Sequence, residues 1–71
     1  MIETYIRQLL EHYNKVVIPG LGAFVKKEGD KNALLFNELF RFNDGMLVQY
    51  IAEVENISNA QSLKKIKDFV G

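Results

Sequence analysis

Apolar residues recur along the start of the chain at steps of three and four: Ile2, Tyr5, Ile6, Leu9, Leu10 and Tyr13. This spacing places them on one face of a helix, and Glu3, Arg7, Gln8 and Glu11 fall on the other. Asn14 fits a left-handed C-cap. The period then changes to the β-branched run Val16-Val17-Ile18, which predicts a buried strand closed by Pro19-Gly20.

Ile18-Pro19-Gly20-Leu21 suits a type II turn, because proline presets the first central dihedral and glycine accepts the positive φ of the second. Gly22 adds a second permissive position. Ala23-Phe24-Val25-Lys26-Lys27 follows as a short strand with partial alternation, then the polar loop Glu28-Gly29-Asp30-Lys31-Asn32, then Ala33-Leu34-Leu35-Phe36 as a third strand. Together these predict an antiparallel meander whose second connection is a tight hairpin.

Asn37-Glu38-Leu39-Phe40-Arg41-Phe42 has no clear period and is expected to be an ordered connection. Asn43-Asp44-Gly45 offers an N-cap to a helix whose apolar face is Met46, Leu47, Tyr50, Ile51 and Val54. Glu55-Asn56-Ile57 interrupts that face. Ser58-Asn59-Ala60-Gln61 fits a capping box, opening a last helix expected to bury Ala60, Leu63, Ile66, Phe69 and Val70. The fold class is therefore α+β, a small antiparallel meander packed with three helices.

Composition narrows the function more than the fold. Seventy-one residues, 48% hydrophobic and 25% charged, suit one soluble domain that buries a modest core and gains from association. With no cysteine, no disulfide or thiolate chemistry is available. The start shows neither a basic segment nor an apolar signal core, so a cytoplasmic location is expected, and no apolar run is long enough to span a bilayer. Nine basic and nine acidic residues leave no net charge, unlike the positive excess usual for phosphate-directed nucleic-acid binding.

Candidate chemistry is sparse. Pro19, Gly20 and Gly22 serve the turn; a phosphate loop would also need a lysine and a hydroxyl opening a helix. His12 has no triad or metal partner at a telling spacing and belongs at a helix end. Glu53 and Glu55 fit a solvated face. Lys26, Lys27, Lys64, Lys65 and Lys67 are candidates for phosphate contact, against the plainer role of solubilising the surface. Arg41, between Phe40 and Phe42, can stack on a base or pack at an interface, packing being favoured. Leu39, Phe40 and Phe42 are candidate interface residues. The last two helices also have helix-turn-helix length, with Asn59, Gln61, Ser62 and Lys65 as the base-reading positions.

Two stretches together resemble a known family: Val16-Val17-Ile18-Pro19-Gly20-Leu21-Gly22-Ala23-Phe24, and Phe36-Asn37 followed by Asn43-Asp44-Gly45-Met46-Leu47 with Tyr50-Ile51-Ala52. They resemble the HU-like domains of Bacteroidetes proteins that often precede a membrane segment and a peptidoglycan-binding SPOR domain. Gly20-Leu21-Gly22-Ala23-Phe24 is similar to the strand turn of ordinary HU and integration-host-factor proteins. Ile51-Ala52-Glu53, Ile57-Ser58 and Ala60 are similar to the junction of their first two helices. The order is rearranged, with the helical pair after the sheet, which implies a permuted or partner-completed unit.

The resemblance implies one HU-like unit in which 1–36 form a helix plus meander and 43–70 a helical pair resembling the start of a second unit, within a longer protein. It implies DNA contact and dimerisation, with a second copy or a tandem HU-like unit as partner. HU proteins kink DNA with long β arms; here the matching loop, Glu28-Gly29-Asp30-Lys31-Asn32, is short and partly acidic, so bending by an inserted wedge is not expected. The sequence thus points to a non-enzymatic, self-associating HU-like module with weak DNA contact. Its rivals are a pure protein-interaction module and a sequence-specific helix-turn-helix. No cofactor, metal, small-molecule substrate or direct membrane contact is expected.

Overall fold

The computed structural model describes residues 1–27, 29 and 33–71. Its elements are α1 (Ile2–His12), β1 (Lys15–Ile18), β2 (Gly22–Lys26), β3 (Leu34–Asn37), α2 (Met46–Glu55) and α3 (Asn59–Val70). The strands form one antiparallel sheet in the order β1-β2-β3. Three helices and a three-stranded meander make the α+β class expected from the periodicities. The tight hairpin expected at Glu28-Asn32 falls largely outside the described residues, although Gly29 is among them.

The core forms where α1 and α2 meet β1. Ile2, Ile6, Leu9 and Leu10 of α1, Val16 and Ile18 of β1, Leu47, Val48 and Ile51 of α2, and Ile66 of α3 make one buried cluster. The helix predicted from the first apolar stripe is present, but it ends at His12, and Tyr13 is exposed. Asn14 is not a left-handed cap. Tyr13 holds the C-cap position in extended conformation, with its N–H bonded to the Leu9 carbonyl. The Asn14 carbonyl instead accepts from the Lys26 N–H at 2.8 Å, so this residue already belongs to the approach to the sheet.

The turn between β1 and β2 follows the type II expectation. The Leu21 N–H donates to the Ile18 carbonyl at 3.0 Å, and Gly20 takes φ +83°. Gly22 is required for another reason, namely space. A Cβ there would lie 2.5 Å from Phe36 Cζ, 2.8 Å from the Asn37 carbonyl oxygen and 2.9 Å from Glu38 Cα.

Both later helices are rotated relative to the faces expected from their spacing. In α2, Val48 and Ala52 are buried while Val54 is 52% exposed. The reason is that α2 has neighbours on two sides, α1 with β1 and then α3, so its buried arc is wider than a single stripe. In α3, Ala60 and Phe69 are exposed, Leu63 and Val70 are half-buried, and only Ile66 and Ser62 are fully buried. Ser62 is small, which suits close helix contact, and its hydroxyl donates to the Val48 carbonyl at 2.7 Å, satisfying a polar group that would otherwise be buried without a partner.

The ends of these helices are set by side chains. Gly45 is the N-cap of α2 and has no side-chain cap of its own. Asn43 and Asp44 precede it, accepting through Oδ1 from the N–H groups of Gly45 (2.9 Å) and Met46 (3.0 Å). Asn56 closes α2 in left-handed conformation. Ser58 and Gln61 form the expected capping box at the start of α3.

Candidate interaction surface

The segment from β3 to α2 carries the largest apolar display on the chain. Leu34, Leu35, Phe36, Leu39, Phe40 and Phe42 are each at least 41% exposed, and Leu39 reaches 78%. Local geometry holds them there. Asn37 Oδ1 accepts from the Leu39 N–H at 2.9 Å, an Asx turn that ends β3 and carries Leu39 away from the sheet. The chain then runs back to the first turn, where the Arg41 carbonyl accepts from the Gly20 N–H at 3.0 Å. The Lys15 ammonium lies 5.2 Å from the centre of the Phe40 ring, within cation–π range.

The interface candidates Leu39, Phe40 and Phe42 are thus exposed together on one ordered segment. The sequence reading missed Leu34, Leu35 and Phe36 as members of the same surface. Their signal was the lack of alternation: three consecutive large apolar residues at the last strand of a meander expose side chains on both faces of a sheet edge. Beside Leu34 a groove of about 310 Å³ opens between α1, the sheet and the end of α3, lined chiefly by Ile6, Leu10, Leu21, Phe24 and Phe69, with Glu3 and Arg7 its charged members. Phe24 is half-buried against the core and also packs edge-to-face on Phe36 with centroids 5.1 Å apart.

The basic candidates sit on three separate elements. Lys26 and Lys27 stand at the end of β2, the first half-buried and the second exposed; Lys64 and Lys67 are exposed on α3; Arg41 is exposed beside the first turn. Lys65 is engaged within the chain, its ammonium 2.6 Å from Glu55 Oε1. The helix-turn-helix assignment does not survive. Of its four reading positions Ser62 is fully buried, Gln61 is used in the capping box and Lys65 is paired with Glu55. His12 lies in the last turn of α1, as expected.

Glu55 departs from the expected solvated face. It also accepts from the Tyr5 hydroxyl at 2.7 Å, so one carboxylate joins α1, α2 and α3, while Glu53 remains exposed. A second link between α1 and α2 is the Tyr50 hydroxyl, which donates to Gln8 Oε1 at 2.6 Å, beside an edge-to-face contact of Tyr5 and Tyr50. The Lys65 and Tyr5 hydrogen bonds hold the Glu55 carboxyl below its ordinary value of 4.5, and the bond to Glu55 pushes the Tyr5 phenol above 10.0. The Glu55 contribution to stability is therefore fully present above the ordinary carboxylate value and is lost as pH falls through the lower folded value. The Tyr5 contribution is present below its ordinary value and is lost as pH rises through the higher folded one. Glu55→Gln is expected to flatten the acid limb of a plot of urea midpoint against pH. An acid limb identical to that of the parent chain would remove this role.

Among the described residues no group of three or more His, Cys, Asp or Glu side chains is placed to hold a metal ion, and no helix is long and apolar enough to cross a membrane. What the fold presents is a small α+β domain with an apolar edge and groove as its main surface feature. Residues 1–32, which include α1, β1 and β2, match the family described as CCDC81-like prokaryotic HU domain 1. This stretch, which holds the turn and strand motifs, is similar to an HU-like domain. No curated protein and no solved structure gives a significant match.

Proposed function

We propose that this chain is a non-enzymatic HU-like binding module that works through a protein interface, with self-association first among its contacts. The observation that carries the proposal is the cluster of six exposed large apolar side chains between positions 34 and 42. A contiguous display of this kind on a small soluble domain marks a surface that another molecule covers. The buried core is a single small cluster, which favours the same outcome. A second copy or a tandem HU-like unit is the partner this reading names. Sedimentation equilibrium tests it. The parent chain is expected to associate with rising concentration, and the double variant Leu39→Lys, Phe42→Lys to weaken that association by at least about tenfold, since a charge in an apolar contact is strongly unfavourable. A parent chain that stays monomeric throughout would overturn the proposal.

A second reading, weak phosphate-directed DNA binding in the cytoplasm, is favoured by the HU-like match and by the exposed Lys27, Lys64 and Lys67. Three phosphate contacts would lower duplex affinity roughly fortyfold between about 50 and about 200 mM salt, through counterion release. A fluorescence titration of a generic duplex reads this directly. Absence of binding at the lower salt would leave the protein interface as the sole function.

A further inference from the structure

We infer that β3 is the seam of a homodimer, in which two copies pair their β3 strands antiparallel about Leu35 and join their three-stranded sheets into one. This rests on the self-association proposed above and specifies its geometry. The register supplies the first argument. β2 and β3 pair Lys26 with Leu34, Val25 with Leu35, Phe24 with Phe36 and Ala23 with Asn37, and the Lys27 N–H donates to the Ala33 carbonyl at 2.9 Å. Hydrogen-bonded and non-bonded pairs alternate along an antiparallel ladder. Positions 33, 35 and 37 therefore bond to β2, while the backbone N–H and C=O groups of Leu34 and Phe36 face outward from the sheet edge.

Those outward groups fit a copy of themselves. With a two-fold axis at Leu35, Leu34 faces the partner's Phe36 and Phe36 faces the partner's Leu34, both as hydrogen-bonded pairs. Leu35 faces the partner's Leu35 as a non-bonded pair, the closely spaced kind. The three cross-strand pairs made by residues 34–36 are then apolar, on both faces of the joined sheet. Registers centred on Leu34 or Phe36 leave one outward-facing residue opposite position 32 or Glu38, outside the strand.

The chemistry of the edge selects the same occupant. Exposed edge strands are usually blunted by lysine, proline, a bulge or an inward charge. The stretch 33–37 has no charged residue and no proline, and β3 pairs with β2 in an uninterrupted register. A strand without charge in a chain of zero net charge has nothing with which to select a charged partner, whereas its apolar order is symmetric about Leu35. Such an isologous contact closes on itself and stops at the dimer.

Cysteine cross-linking tests the register, and the native chain contributes no thiol of its own. In a non-bonded pair the Cα atoms lie about 4.5 Å apart, inside the range a disulfide spans. Leu35→Cys is expected to oxidise to a covalent dimer at least about tenfold faster than Val54→Cys, which reports random encounter from an exposed site off the seam, because pairing raises the effective thiol concentration. Leu35→Lys, which sets like charges opposite each other, is expected to abolish the sedimenting dimer with an unchanged circular dichroism spectrum. If that variant unfolds, the cysteine pair decides. Equal cross-linking rates for the two cysteines, in a chain that still dimerises, would overturn the β3 seam and leave self-association standing. A parent chain that never dimerises would overturn both.

Discussion

Gly22→Ala is expected to destabilise the fold by about 3 kcal/mol or more, combining overpacking with backbone strain. The new methyl group would meet three atoms at 2.5 to 2.9 Å, and two of them, the Asn37 carbonyl oxygen and Glu38 Cα, are backbone. Phe36 could swing its ring tip aside, but the backbone atoms move only if the end of β3 moves. Gly20→Ala is the matched control. It has open space around it and bears only the cost of a left-handed backbone at φ +83°, about 1 to 2 kcal/mol. Urea titrations followed by circular dichroism separate the two, and equal losses would show that β3 does not press on Gly22 as described.

Ile51→Ala should have an effect of similar size, about 3 to 4 kcal/mol, because a fully buried isoleucine is replaced by a cavity at the junction of α2 with its neighbours. A domain of this length has only roughly 4 to 10 kcal/mol in total, so the variant should be substantially unfolded at ambient temperature. Val54→Ala, on the same helix but 52% exposed, should change stability by less than about 0.5 kcal/mol. Val54 distinguishes the observed orientation of α2 from the one its spacing suggested, which would bury both side chains. A large loss at Val54 with little at Ile51 would mean the helix is rotated from the position described.

That rotation shows what local pattern could and could not convey. For α1 the apolar stripe faces α2 and β1, and four of its six expected positions are buried. The stripe was a poorer guide for α2, which packs on α1, β1 and α3, and for α3, where a small polar residue, Ser62, could be buried once the Val48 carbonyl was there to receive its hydroxyl. Asn14 illustrates a competing use of one residue: it looked like a helix cap, but the sheet took its carbonyl. Turns were legible because their chemistry is local, as at Pro19-Gly20 and in the Ser58–Gln61 capping box.

The candidate surface was half legible. Leu39, Phe40 and Phe42 stood out as an apolar surplus with no period, and all three are exposed. The contribution of Leu34, Leu35 and Phe36 depended on β3 being an edge strand, which strand order decides and periodicity does not. Glu55 was misjudged for a related reason: its partners Tyr5 and Lys65 are far apart in sequence and meet it only in the folded chain.

The most direct measurement of the central claim is a dilution series of amide spectra on isotope-labelled protein. Over about a hundredfold range of concentration, mass action should shift the population between free and associated chains. Concentration-dependent shifts are expected to concentrate at residues 34–42 and at the groove-lining residues beside Leu34. Spectra that do not change with concentration, or changes that fall on α3 around Lys64 and Lys67 while the 34–42 signals stay fixed, would contradict a module that acts through this apolar surface.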